Sequence, residues 1–145
     1  MKKMENSRFA ELKSLKASKT AFPDSPEKAD LDVFRNLYSE RNYEITFTCP
    51  EFTSLCPVTG QPDFGGIIVR YIPDTLCVES KSLKLFLFSF RNFNTFHEEA
   101  VNIIADKINS ACAPRWLEVS GQFHPRGGIA ISVKCEKNKK GFRKQ

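Results

Sequence analysis

No run of the 145-residue chain is long and apolar enough to cross a bilayer, and residues 1–30 contain no hydrophobic core of the signal-peptide kind. The expected location is therefore cytoplasmic. A Gly-x-Gly-x-x-Gly is missing as well, which argues against a Rossmann-type dinucleotide site. Histidine is limited to His97 and His124, and no Cys or His pair has zinc-ligand spacing, so no metal ion is expected. Cysteines at 49, 56, 77, 112 and 135 make an odd count, read as free thiols and not as a disulfide framework. There is no internal repeat.

What is present is a globular composition. Thirteen Phe in a 41% apolar chain can build a core, and the length is that of one domain. The net charge of +5 is unevenly placed. Residues 134–145 hold six basic residues and one acid, residues 1–28 seven and four, and residues 29–133 nine and twelve. The body is slightly acidic, which weakens the case for a nucleic-acid groove on its folded surface.

Along the chain, residues 1–28 read as a polar arm with Pro23 and Pro26, and with a turn of helix around Phe9–Leu15. Tyr43–Cys49 alternates and is rich in β-branched and aromatic residues, the pattern of a strand. Gly66–Ile72 reads as a second strand closed by Pro73-Asp74, and Thr75–Glu79 as extended. Ser82–Phe90 is so uniformly apolar that strand and buried helix fit equally. Thr95-Phe-His-Glu98 matches a capping box, and Phe96, Ala100, Val101, Ile104 and Ile108 follow at helical spacing, so a helix is expected over 95–110. Arg115–Phe123 and Gly128–Cys135 alternate around a turn at His124–Gly127. The basic tail is expected to be partly disordered. Strands, helices and strands again make an α+β domain with an antiparallel sheet.

Between the first two strands lies Phe52–Gly66, with a thiol at Cys56, a carboxyl at Asp63, and Pro57, Gly60 and Pro62 between them. Pro fixes φ and Gly tolerates positive φ, so this stretch is expected to break regular structure and double back, bringing Cys56 towards Asp63. A thiol beside a proton acceptor is the minimum for covalent catalysis. The competing reading is a free cysteine that only packs. Cys49, Cys77 and Cys135, near expected strand ends, and Cys112, at the end of the main helix, are read as core residues.

Four blocks then occur in order over roughly residues 42–133: Leu-Cys-Pro-Val-Thr-Gly-Gln-Pro-Asp-Phe at 55–64, Val-Glu-Ser-Lys-Ser-Leu-Lys-Leu-Phe at 78–86, Phe-His-Glu-Glu at 96–99 and Pro-Arg-Gly-Gly at 125–128. Together they resemble the short form of the NADPH-dependent 7-cyano-7-deazaguanine reductase family, the nitrile reductases of queuosine biosynthesis within the tunnelling-fold superfamily. The resemblance implies a tunnelling fold: a four-stranded antiparallel sheet with two helices on one face, from residues 29–135, flanked by the arm (1–28) and the tail (136–145). It implies that Ser82–Phe90 is helical. It also implies subunits joined edge to edge into a barrel, as pentamers stacked in a decamer, with active sites at subunit boundaries.

The activity implied is reduction of a nitrile to a primary amine with two NADPH. Cys56 would add to the nitrile carbon as a covalent thioimide, and Asp63 would handle the proton. Glu98, with His97 beside it, would meet the guanine-like edge of the substrate, and Val78, Glu79 and Ser80 would also contact the base. Glu98 equally fits as the residue that caps its own helix; Glu99 is read as solvated. Ser80, Lys81, Arg126 and Gly127 would hold NADPH, with Lys84 in addition. A solvated helix face for Lys81 and Lys84, and plain turn residues for Gly127 and Gly128, are the structural alternatives. A pterin- or purine-handling relative such as a cyclohydrolase, and an RNA-binding module using the tail, are the competing functions.

Overall fold

The computed structural model describes residues 22–145, so the helical turn expected around Phe9–Leu15 lies outside the described residues. The elements follow as β1 (Val33–Arg35), β2 (Ile45–Leu55), β3 (Pro62–Ile72), β4 (Leu76–Val78), α1 (Ser80–Phe88), α2 (His97–Cys112), β5 (Trp116–Phe123) and β6 (Ser132–Asn138). The main sheet is antiparallel, in the order β2-β3-β5-β6, and β1 pairs with β4 in a small second sheet. This is the expected α+β arrangement of two helices and antiparallel sheets. The small sheet is an addition, because a three-residue strand is too short for alternation to mark.

Alternation turns one face of each central strand towards the helices. Ile67, Val69 and Tyr71 of β3 and Leu117, Val119 and Phe123 of β5 are buried there, against Leu83 and Phe86 of α1 and Ala100, Val101, Ile104 and Ile108 of α2. The ambiguous apolar stretch is helical as far as Phe88, as the family resemblance implied, with Ser89 and Phe90 in the turn that follows. Glu79 caps the helix by accepting from the N–H groups of Lys81 and Ser82.

Four expectations are corrected. The stretch 52–66 is mostly strand: β2 continues through Leu55, β3 begins at Pro62, and only the turn between them is irregular. Pro62 is tolerated because it is the first residue of its strand. Thr95 is not the helix cap. Its N–H donates to the Leu55 carbonyl, and the extended residue at the helix start is Phe96 (φ −74°, ψ 158°), so the helix starts one residue later. Glu99, not Glu98, then reaches back to the Phe96 N–H at 3.2 Å. The last strand starts at Ser132, after a tight turn in which Arg126 and Ile129 exchange backbone hydrogen bonds across Gly127 and Gly128, both at positive φ. Cys49 and Cys135 lie within strands, although Cys112 does end α2.

The tail is placed against the body of the domain. β6 runs to Asn138, Lys139 pairs with Asp74, and Lys144 pairs with Glu44 at 2.8 Å while its ammonium lies 3.4 Å from the centre of the Trp116 ring. The only tryptophan is thereby covered on the outer face of the sheet. Residues expected as free positive charge are partly neutralised.

Helix α2 ends on Ala113 with φ 43° and ψ 59°, a left-handed conformation in which a Cβ is crowded. Ala113→Gly should stabilise the protein by about 0.5–1 kcal/mol, seen as a higher midpoint in thermal unfolding. An unchanged or lower midpoint would show that the conformation is unstrained.

Candidate active site

The site is assembled by a bulge, a turn and a helix start. Along β2 the inward residues are first odd-numbered, Ile45 and Phe47; the register then shifts between Cys49 and Phe52, across Pro50-Glu51, and Phe52 and Ser54 face inward instead. Ser54 stands directly opposite Asp63, and Leu55 opposite Pro62. The turn is closed by hydrogen bonds from Cys56 N to Gln61 O at 2.8 Å and from Gly60 N, at φ 69°, to Cys56 O at 2.9 Å. Thr53 Oγ1 donates to the Asp63 carbonyl at 2.8 Å.

The turn is also fixed to the start of α2. Leu55 N donates to Phe93 O at 2.9 Å and Thr95 N donates to Leu55 O at 3.0 Å, a short parallel bridge beside Cys56. Two residues beyond Thr95, His97 stacks on Phe123 with centroids 3.9 Å apart and planes 1° from parallel. Its Nε2 lies 3.4 Å from Asp63 Oδ2, whose carboxyl side chain is only 7% exposed. Phe52 packs edge-on against Phe123, so the inward aromatic core backs the His97 ring.

Arg126 was expected among the phosphate ligands. It lies over Asp63: Nη1 is 2.8 Å from Oδ1, and Nη2 donates to Gln61 Oε1 at 3.1 Å and to the Pro62 carbonyl at 3.3 Å. Its side chain is 42% exposed. The contacts of Asp63 Oδ1 and His97 Nε2 are close but not aligned as hydrogen bonds, and both atoms, with Ser54 Oγ, are buried without a hydrogen-bond partner. Glu98 is exposed at the second position of α2. Its carboxylate has no ion pair or hydrogen bond among the described residues, since Glu99 has taken the capping role. The structural alternative for Glu98 is thereby removed.

The Cys56 thiol is held below its ordinary range, first by the Thr59 hydroxyl and then by the N–H groups of Thr59 and Val58; burial and the Asp63 charge act in the opposite direction. Burial instead pushes Cys49 up, and Cys112 up to about 12. Cys56 is thus set apart chemically from both. Thr59 and Ser54 were not singled out from the sequence. Thr59 was visible as part of the Pro-Val-Thr-Gly turn, whereas Ser54 needs the bulge to face inward.

The remaining candidates lie elsewhere. Val78 N donates to the Tyr71 hydroxyl at 2.9 Å and Glu79 N to Asp32 O at 2.9 Å, while Ser80 and Lys81 are exposed at the start of α1. Tyr71 and Asp63 are eight residues apart along β3, about 26 Å at the usual rise. One chain therefore does not bring 78–81 beside Cys56. Nor does the groove of about 480 Å³ between the β2 bulge and α1 reach the thiol; it is lined by Phe52, Lys84 and Phe88, among others, and not by Cys56, Asp63 or His97. Gly127 has φ 56° and open space where a side chain would stand.

A model of the QueF-like protein family matches residues 62–141. The NADPH-dependent 7-cyano-7-deazaguanine reductase of Porphyromonas gingivalis is 52% identical over 130 residues, covering 90% of this chain and 84% of the relative. The chain belongs to the QueF-like 7-cyano-7-deazaguanine reductase family. The reductase of Neisseria gonorrhoeae is 53% identical over 113 residues, covering 78% of this chain and 72% of its own. Among solved structures, the apo form of an archaeosine synthase QueF-Like superposes with a TM-score of 0.59 at 22% identity, covering 67% of this chain and 93% of that one. That likeness supports the QueF-like fold. Among the described residues, no helix is long and apolar enough to cross a membrane.

The environment of Cys56 gives a direct test. In alkylation with iodoacetamide, resolved by peptide mass, Cys56 should react at lower pH than an ordinary thiol, and well ahead of Cys112. Thr59→Val removes a donor to the sulfur, so the midpoint should move up and the rate at pH 7 fall a few-fold. An unchanged midpoint would remove Thr59 from the account.

Proposed function

We propose that this protein is a cytoplasmic, NADPH-dependent 7-cyano-7-deazaguanine reductase, producing 7-aminomethyl-7-deazaguanine for queuosine biosynthesis. The observation that carries the residue-level reading is the turn that holds the Cys56 thiol, its pKa lowered by Thr59 and Val58. That turn is fastened through Leu55 to the start of α2, where His97 lies 3.4 Å from Asp63 and the Glu98 carboxylate is unpaired among the described residues. A nitrile accepts hydride poorly. Addition of the Cys56 S–H across the C≡N bond makes one S–C bond and places the thiol proton on nitrogen, giving a thioimide whose carbon accepts hydride far better than that of the nitrile. Asp63 takes the thiol proton and returns it to nitrogen, with His97 beside it. The Glu98 carboxylate offers two acceptors to the paired N–H donors of the deazaguanine edge.

Bound NADPH supplies hydride, and two equivalents with two protons convert nitrile to amine. The residues present fit phosphate binding: Ser80, Lys81 and Lys84 are exposed on α1, and Lys81 and Lys84 make no ion pair among the described residues. Arg126 borders both the buried carboxylate and solvent, so it serves the site from the rim, with Gly127 open to a close approach.

Residues 78–81 and Cys56 belong to opposite ends of β3, and we assign each complete site to two chains. Both half-sites carry exposed apolar side chains: Val58, Phe64, Phe96 and Ile129 near Cys56, and Phe34, Leu37 and Tyr38 near β4. β2 and β6 are open edges of the main sheet, and edge-to-edge joining into the barrel of a tunnelling fold would pair them. The ion-paired tail removes much of the free positive charge on which an RNA-binding role would depend.

The reading is tested by turnover. With the nitrile, NADPH absorbance should fall by two equivalents per amine formed. Cys56→Ala and Lys81→Ala should each be defective, and co-refolded mixtures of the two should recover turnover, because some sites then combine two intact halves. One NADPH per product would contradict the chemistry, and absence of recovery would contradict the shared site.

A further inference from the structure

Only three buried side-chain polar atoms lack a hydrogen-bond partner among the described residues: Asp63 Oδ1, His97 Nε2 and Ser54 Oγ. Two belong to groups already placed in the chemistry. The third has no assigned role. Ser54 is fully buried and is the cross-strand partner of Asp63, on the same inward face of the hairpin. Side chains directly opposite in an antiparallel pair have Cβ atoms about 4.5–5.5 Å apart, within reach of a hydroxyl-to-carboxylate hydrogen bond after a small rotation. The other buried polar side chains, Asn36, Ser82, Ser89 and Thr95, are all bonded.

A buried hydroxyl without a partner destabilises a fold relative to alanine, so Ser54 is unfavourable for the free chain. It faces inward only because the Pro50-Glu51 bulge shifts the register; without that shift Thr53 and Leu55 would occupy the inward positions. We infer that Ser54 is a positioning residue for Asp63: its hydroxyl donates to the carboxylate during thioimide formation and sets the orientation in which Asp63 receives the Cys56 proton. Ser54 touches neither sulfur nor substrate and acts through Asp63. This rests on the reading of Asp63 as the proton carrier.

The test compares Ser54→Ala and Asp63→Asn with the unaltered chain. Adduct formation with 7-cyano-7-deazaguanine in the absence of NADPH is followed by quenched mass spectrometry, alongside steady-state turnover and thermal unfolding. Ser54→Ala should slow both adduct formation and kcat by about tenfold, the effect of losing one hydrogen bond of ordinary strength. KM for the nitrile should be unchanged and the unfolding midpoint unchanged or raised. Adduct formation at the unaltered rate would overturn the inference. So would slowing accompanied by a lower midpoint, which marks a structural role, or by a raised KM, which marks substrate contact. If Asp63→Asn forms adduct at the full rate, the fault lies in the reading of Asp63 itself.

Discussion

Two backbone hydrogen bonds on Leu55 hold the site together. One reaches Phe93 and the other comes from Thr95, so the residue before Cys56 is fastened to the segment that launches α2. A thiol on an unattached hairpin turn would sample many positions relative to His97 and Glu98. With its neighbour paired on this side, and Cys56 itself bonded to Gln61 across the turn, the sulfur is placed by backbone geometry and not by side-chain packing. The same bonds explain why α2 begins where it does. The Thr95 N–H is taken by the Leu55 carbonyl, Phe96 becomes the cap, Glu99 satisfies it, and the Glu98 carboxylate is left unpaired among the described residues.

Packing carries the arrangement inward. His97 rests on Phe123, Phe123 meets Phe52, and Phe52 meets Phe90, a chain of rings from the site to the centre of the helix–sheet interface. The imidazole is thus fixed by the core, while its outer nitrogen faces Asp63. Around this fixed centre the described residues leave polar atoms unpartnered and apolar side chains exposed, features that cost stability in the free chain.

The doubling-back of the chain between Leu55 and Pro62 was legible in the sequence because Pro57, Gly60 and Pro62 are local signals and a hairpin is a local structure. The helix Ser80–Phe88 was legible only through the family resemblance. Long-range contacts left no such mark. The Thr95-to-Glu98 pattern is a sound capping box by itself, but pairing with Leu55, forty residues earlier in the chain, overrode it. Arg126 meets Asp63 across 63 positions, and Lys144 covers Trp116 across 28, and no periodicity encodes either. The bulge at Pro50-Glu51 lies between these cases: a proline late in a strand pattern is visible, but the register it produces depends on β3.

The central claim is that the Cys56 sulfur becomes bonded to the nitrile carbon before any hydride arrives. Intact-protein mass spectrometry of the full chain with 7-cyano-7-deazaguanine and no NADPH measures this directly. The mass should rise by that of one substrate molecule per chain, with peptide mapping placing the addition on Cys56 and the increase abolished in Cys56→Ala. No added mass, or the same addition in Cys56→Ala, would contradict the account.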